Sequence, residues 1–251
     1  LVTSQGEITL NLNHTMPNLV VGDWVLLNNP RDVNNQGMSQ ERHFIRLLDR
    51  KTCFSRKAAG SKLEEQLISA NVDTAFIVSS MNDDFNLNRI ERFLSLVNDA
   101  NAEAVIVLSK SDQTKSSQEY IQAIQTLDPL LMVEAVNCLD EMSVKVLSPW
   151  IKSGSTIAVL GSSGVGKSTL TNTLLGETRQ STHGIRDDDS KGRHTTTRRS
   201  LLALKEGGLI LDTPGMREIQ LTNCKEGITT TFADIEALAT RCRFSDCQHQ
   251  G

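Results

Sequence analysis

The stretch "GSSGVGKST", residues 161–169, matches G-x-x-x-x-G-K-[ST] at every required position. Gly161, Gly166, Lys167 and Ser168 hold the fixed places, Ser162, Ser163, Gly164 and Val165 fill the free ones, and Thr169 completes the set. An apolar run, "STIAVLG", leads in like a buried strand, and "KSTLTNTLLG" leads out like a helix. Glycines let backbone N–H groups turn inward around phosphate oxygens, at a helix N-terminus already suited to anions. In such a loop Lys167 reaches the β- and γ-phosphates and the Ser168 hydroxyl ligates Mg²⁺. An incidental Gly/Ser-rich turn is the alternative, and the strand–loop–helix context argues against it.

Working outward, apolar strand-like runs alternate with helix-like segments. "KLEEQLISANVD" is helix-like, "TAFIVSS" suits a buried strand, and "NLNRIERFLSLVNDA" places Ile90, Phe93, Leu94 and Val97 at helical spacing. "EAVIVLS" is a second strand, "SSQEYIQAIQTLDP" a helix, "LLMVEAV" a strand, and "SLLAL" and "GGLILD" are strands downstream of the glycine loop. That alternation predicts an α/β fold with a doubly wound parallel sheet. Residues 1–57 differ in character: "GEITLNLN", "NLVVGDWVLLN" and the strand–turn–strand "RHFIRLLDRKTCFSR" suggest a small β-barrel such as an OB-fold, with a β-sandwich fragment as the alternative. The tail, "TFADIEALATRCRFSDCQHQG", reads as a helix and then a Cys/His-bearing loop.

Two further motifs bear on the ligand. In "LILDTPG", Asp212 ends a strand, where its carboxylate can hold Mg²⁺ through water, and the Gly215 N–H can sense a γ-phosphate. In "VIVLSKSD", Ser109, Lys110, Ser111 and Asp112 form S-K-x-D after a strand. A carboxylate there accepts from guanine N1–H and the 2-amino group, a donor pair that adenine lacks, and the lysine stem can lie over the base. G-proteins usually carry Asn or Thr at the place of Ser109, so base affinity is expected to be weaker. A last base-contacting loop falls at Asn137-Cys138 in "VEAVNCLD". The base motif precedes the phosphate loop, the reverse of the usual G-protein order.

Composition permits two small domains or one with an appendage. No apolar run reaches the ~18 residues of a membrane span. The chain begins at Leu1, so a targeting segment is not excluded. Net charge is −4, which advertises no global nucleic-acid field, yet residues 1–57 carry seven Lys/Arg against five Asp/Glu, crowded toward the end of that segment. This is either a solvated basic face or an RNA footprint. Five cysteines at irregular positions (53, 138, 224, 242, 247) argue for a reducing compartment. Cys242, Cys247 and His249 offer three zinc ligands, one short of a closed structural site, and two buried thiols with a surface histidine are the other reading.

With these pieces in order, the chain resembles the circularly permuted GTPases of the RsgA (YjeQ) family. Similar stretches include "VVGDWV", "DRKTCFSR", "QLISANVDTAFIVSS", "NLNRIERFL", "VIVLSKSD", "GSSGVGKSTL", "GRHTTT", "LDTPGMRE" and "CRFSDCQH". The resemblance implies an N-terminal OB-fold (1–57) contacting RNA, a permuted GTPase domain (58–222) and a C-terminal zinc-binding domain (223–251). The fourth zinc ligand is expected outside this chain. It further implies GTP hydrolysis to GDP, coupled to late maturation of the small (30S) ribosomal subunit, by a cytoplasmic protein that needs no membrane and acts as a monomer.

Residues 177–200, "ETRQSTHGIRDDDSKGRHTTTRRS", contain one bulky aliphatic, Ile185, and suit a switch segment that orders around γ-phosphate and Mg²⁺. Thr196, or Thr195 beside it, is expected to ligate the magnesium. The residue after D-x-x-G, where many G-proteins carry a water-orienting Gln, is Met216, which cannot take that part. His194 is the candidate for positioning the attacking water, with His183 the lesser one. Intrinsic hydrolysis is expected to be slow and stimulated by the small subunit. Seven Phe, two Trp and one Tyr leave little for base stacking, so RNA contact should run through phosphates. Two other functions compete with this reading: a P-loop small-molecule kinase, and a nucleotide-gated RNA-binding module with negligible catalysis.

Overall fold

In a computed structural model of the chain, the described residues are 1–3, 6–10, 14, 16–28, 43–57, 65–176 and 200–212. Their strands in chain order are β1 (Val2–Thr3), β2 (Gly6–Glu7), β3 (Val25–Leu27), β4 (Phe44–Leu47), β5 (Cys53–Lys57), β6 (Glu65–Ala70), β7 (Thr74–Ser80), β8 (Glu103–Ser109), β9 (Met132–Ala135), β10 (Thr156–Leu160), β11 (Ser200–Ala203) and β12 (Leu209–Asp212). The helices are α1 (Leu87–Asp99), α2 (Ser117–Gln125), α3 (Glu141–Val144) and α4 (Lys167–Leu175), with 3₁₀ turns at Ser111–Gln113 and Lys145–Trp150.

Six strands form one sheet in the order β11-β12-β10-β7-β8-β9. From β12 to β9 every pairing is parallel. β7 is buried along its whole length, which explains its unbroken apolar run. Alternation across the pleat splits the core. Ala75, Ile77, Ile106 and Leu108 pack with Ile90, Leu94 and Val97 of α1 and Ile124 of α2. Phe76, Val78, Val105 and Val107 pack on the other face with Val144, Leu147, Leu170 and Leu175, from α3, the following 3₁₀ turn and α4. Helices on both faces of a mostly parallel sheet match the expected α/β architecture.

The expectation of an all-parallel sheet needs one correction. β11 runs antiparallel to β12 at the edge, because a tight turn through Gly207 (φ 98°) joins them with no crossover. A second correction concerns "KLEEQLISANVD". Residues 65–70, expected as helix, form β6, paired antiparallel with β5. Ile68, Ser69 and Ala70 are buried in tertiary packing that overrides the local helix preference of Leu, Glu and Gln. The two strands read in "RHFIRLLDRKTCFSR" exist as β4 and β5, but β4 pairs with β3 and β5 with β6.

The N-terminal pieces are tied to the sheet by specific contacts. Val21 bridges Ser69, and the Ala70 N–H donates to the Val21 carbonyl at 3.0 Å. Gly22 (φ 95°) lies so close that a Cβ would sit 1.9 Å from the Ala70 carbonyl oxygen. Arg50 Nε and Nη2 grip the two carboxylate oxygens of Asp23 at 2.7 and 2.8 Å. Phe54 of β5 is fully buried in the same cluster as α1. The β5–β6 pairing thus runs across the position 57/58, and a closed barrel is not seen among the described residues.

Candidate nucleotide-binding site

Parallel strands bring their carboxyl ends to one edge, where open α/β sheets bind ligands. β10 ends there just before Gly161, β8 at Ser109, β9 just before Val136 and Asn137, and β12 at Asp212. Topology alone therefore gathers the phosphate loop, the base motif and the last base-contacting loop, although Ser109 and Gly161 are far apart in sequence.

The loop itself has the shape its glycines predict. Gly161, Gly164 and Gly166 have φ of 140°, 79° and 96°. At Gly161 a Cβ would stand 2.4 Å from the Val78 carbonyl oxygen of the neighbouring strand, so backbone geometry and space both demand glycine there. Gly166 caps α4, no side chain closes that helix N-terminus, and its first turn carries no acidic residue. Helix-end donors and the macrodipole thus favour an anion. Lys167 Nζ donates to the Ser162 carbonyl, which holds the ammonium across the loop. The Ser162 hydroxyl accepts from Arg89 Nη1 at 2.8 Å, an arginine whose stretch, "NLNRIERFL", reads as an amphipathic helix and carries no phosphate-loop motif.

The motif expected to read the base leans directly on this loop. Ser109 is buried, and its hydroxyl lies 2.6 Å from the Val165 carbonyl oxygen and 3.3 Å from that of Ser79. Its role is therefore a clip between strand β8 and the phosphate loop. The backbone turns sharply at Lys110 (φ 61°), and the Ser111 N–H donates to the Val136 carbonyl at 3.2 Å, which joins the two base loops. Asp112 is exposed and Lys110 half-buried, so both side chains are accessible from the carboxyl edge of the sheet.

The second base loop is held from three sides. The Asn137 N–H donates to Ser143 Oγ at 2.8 Å, Asn137 Oδ1 accepts from the Leu139 N–H at 3.0 Å, and Thr173 Oγ1 of α4 donates to the Cys138 carbonyl at 2.6 Å. Ser143 and Thr173 carry no motif signal in the sequence. Cys138 is buried beside Gly166. Burial pushes its thiol up from 9.0 to about 11, with the Asp112 charge adding to the rise and Lys110 opposing it. Those two charges thus act on the same spot as the loop.

Several expected groups lie outside the described residues: His194, Thr195, Thr196, Gly215, Cys242, Cys247 and His249. Asp212 is placed by its backbone at the end of β12, on the ligand edge. Ser168, in the first turn of α4, is half-buried at the mouth of the loop. The uncapped helix, the glycine cradle and a hydroxyl at that point fit a magnesium-bound nucleotide phosphate.

Comparison with known proteins identifies the family. The family model described as "RsgA GTPase" matches residues 47–222. The protein named small ribosomal subunit biogenesis GTPase RsgA 2 from Vibrio parahaemolyticus serotype O3:K6 is 57% identical over all of this chain, which spans 67% of its length. The namesake from Vibrio vulnificus is 56% identical, again over the whole chain and 68% of the relative. The RsgA of Xanthomonas oryzae pv. oryzae is 45% identical over 91% of this chain and 60% of that protein. Among solved structures, YjeQ from Thermotoga maritima superposes with a TM-score of 0.64 at 23% identity, covering 93% of this chain and 73% of that one. YloQ, described as a circularly permuted GTPase, gives 0.63 at 23% identity over 94% and 71%. The family-model match over residues 47–222, together with relatives 45–57% identical over nearly all of the chain, makes this chain a member of the RsgA GTPase family.

Proposed function

We propose that this chain is a GTP hydrolase, forming GDP and phosphate, that serves the late assembly of the small ribosomal subunit. One observation supports the reading: the Ser109 hydroxyl joins the end of β8, next to Lys110 and Asp112, to the Val165 carbonyl of the phosphate loop, which sets the two expected contact regions side by side. The RsgA names of the relatives supply the ribosomal context.

In this reading Asp112 accepts from the guanine edge and Lys110 covers the base face, while Asn137 and Cys138 border it. The N–H groups of residues 161–169 and the Lys167 ammonium hold the phosphates. Mg²⁺, bound through Ser168 with Thr195 or Thr196 and through water to Asp212, would neutralise charge on the β- and γ-phosphates. His194 orients the attacking water. The expected result for His194→Ala is loss of subunit-stimulated turnover with nucleotide affinity kept, and intact stimulated turnover would reject the assignment.

We extend the reading to an N-terminal OB-fold over 1–57, a GTPase domain over 58–222 and a zinc-binding domain over 223–251 that uses Cys242, Cys247 and His249. The basic residues near the end of the first segment support an rRNA contact made chiefly to phosphates. The protein would act as a cytoplasmic monomer. No described helix is long and apolar enough to cross a membrane.

The test is phosphate release from GTP and from ATP, each with and without purified 30S subunits. Strong, GTP-selective stimulation is expected. Turnover that ignores both base and subunit would refute the function, and equal use of ATP would refute the role of Asp112.

A further inference from the structure

Arg89 stands where helix physics does not want it. It lies in the first turn of α1, where the positive end of the macrodipole disfavours a cation and where no acidic residue is present. Its backbone N–H is nonetheless held at 3.0 Å by Oδ1 of Asn86, the N-cap, which fixes where the side chain departs. One nitrogen, Nη1, then meets three acceptors: Asp84 Oδ1 and Oδ2 at 3.0 and 2.9 Å and Ser162 Oγ at 2.8 Å. With two N–H bonds on that nitrogen, one serves the carboxylate and the other the phosphate-loop hydroxyl. Asp84 is itself oriented, its N–H donating at 3.1 Å to Asn82 Oδ1, which also accepts from Ser80 Oγ at the end of β7. A chain of contacts thus runs from β7 through Asn82, Asp84 and Arg89 to the loop.

Stability of the fold does not explain this arrangement. The side chains of Arg89 and Asp84 are 36% and 45% exposed, and an ion pair so wet adds little to folding. A locally unfavourable placement with no folding gain is expected where function imposes it.

We propose that Arg89 is a positioning residue of the phosphate loop, gripping the Ser162 hydroxyl so that the loop keeps its phosphate-binding shape. Ser162 is held by two cations, its carbonyl by Lys167 and its hydroxyl by Arg89. When Lys167 turns to the phosphates, the Arg89 contact remains. Preorganisation of this kind tightens ground-state binding of GDP and GTP alike. It raises affinity and leaves the chemical step unchanged. The inference rests on the nucleotide-binding reading above.

The test titrates the full chain with fluorescent GDP and a non-hydrolysable fluorescent GTP analogue, alongside steady-state kinetics and thermal melts. The variants are Arg89→Ala, Ser162→Ala and the double substitution. Arg89→Ala should weaken both nucleotides by about three- to tenfold, the range for the net loss of one partly buried hydrogen bond, and raise KM with kcat retained. Its melting temperature should stay near that of the parent. Because Arg89 acts through Ser162, the double variant should bind no more weakly than the weaker single one. Unchanged affinity, multiplying losses, or a fall in kcat at constant KM would each overturn the proposal. Should Arg89→Ala fail to fold, Arg89→Lys, whose ammonium sits one bond short of Nη1 on a flexible stem, should bind more tightly than Ser162→Ala, and affinity no better than that of Ser162→Ala would count against the proposal. A parent chain that binds neither nucleotide would sink the functional reading itself, whereas normal binding by both parent and Arg89→Ala would sink this inference alone.

Discussion

Gly161 has little conformational freedom at the carboxyl edge of the sheet. Its φ of 140°, and the mere 2.4 Å that would separate a Cβ from the Val78 carbonyl oxygen, mean that even alanine must displace β7 or reshape the loop. Gly161→Ala should abolish detectable nucleotide binding, measured by the same titration, while the sheet still melts cooperatively. Ser109 acts through the opposite property, a short hydroxyl in a closed space. Its place in the motif poses a question about reach toward the base; in the folded chain the hydroxyl reaches a loop carbonyl instead. Ser109→Ala leaves the buried Val165 carbonyl without that donor, costing about 1–3 kcal/mol. The loss should appear as a lower urea midpoint and as weaker GDP binding. Cys138 supplies a pH signature. Its folded thiol titrates at about 11 against 9.0 for the ordinary group, so the folded chain keeps a proton that the unfolded chain releases. The stability this contributes is present below pH 9 and declines as pH rises from there toward 11. Alkylation of Cys138, followed by mass spectrometry, should lag far behind that of the denatured chain at pH 8–9.

At the scale of elements, legibility follows the source of the ordering force. α1, α4 and the sheet strands β7, β8 and β10 are readable because burial repeats at their own period, as in the run 74–80 or at Ile90, Leu94 and Val97. The phosphate loop is readable because a few residue types at fixed spacing are dictated by backbone chemistry. β6 is not, because its strand state comes from pairing with β5 and from the bridge to Val21, contacts that leave no period in its own residues. Arg89, Ser143 and Thr173 are not, because each matters through one hydrogen bond across the fold and leaves no pattern along the sequence. The β5–β6 hairpin shares the core of α1 through Phe54. Phe54→Ala should therefore cost about 3–5 kcal/mol. In urea titrations monitored by circular dichroism, that destabilisation should shift the unfolding of the α/β sheet itself, since hairpin and sheet have a common core.

For the whole molecule the decisive feature is the sequence of strands in space against their sequence along the chain. β10, with the phosphate loop, lies between β7, which precedes it by many residues, and β12, which follows it. The connection from β9 to β10 runs through α3 and the 3₁₀ turn, anchored by Val144, Leu147 and Ile151, and then surfaces at the exposed residues 152–154, where Gly154 (φ 88°) has open space around it. A G-protein of ordinary order would begin at that point. The covalent link at 152–154 is consequently a convenience of synthesis more than a structural necessity. A chain nicked there should behave as a two-piece enzyme whose halves remain zipped by the β10–β7 ladder, co-eluting in gel filtration and still able to capture nucleotide.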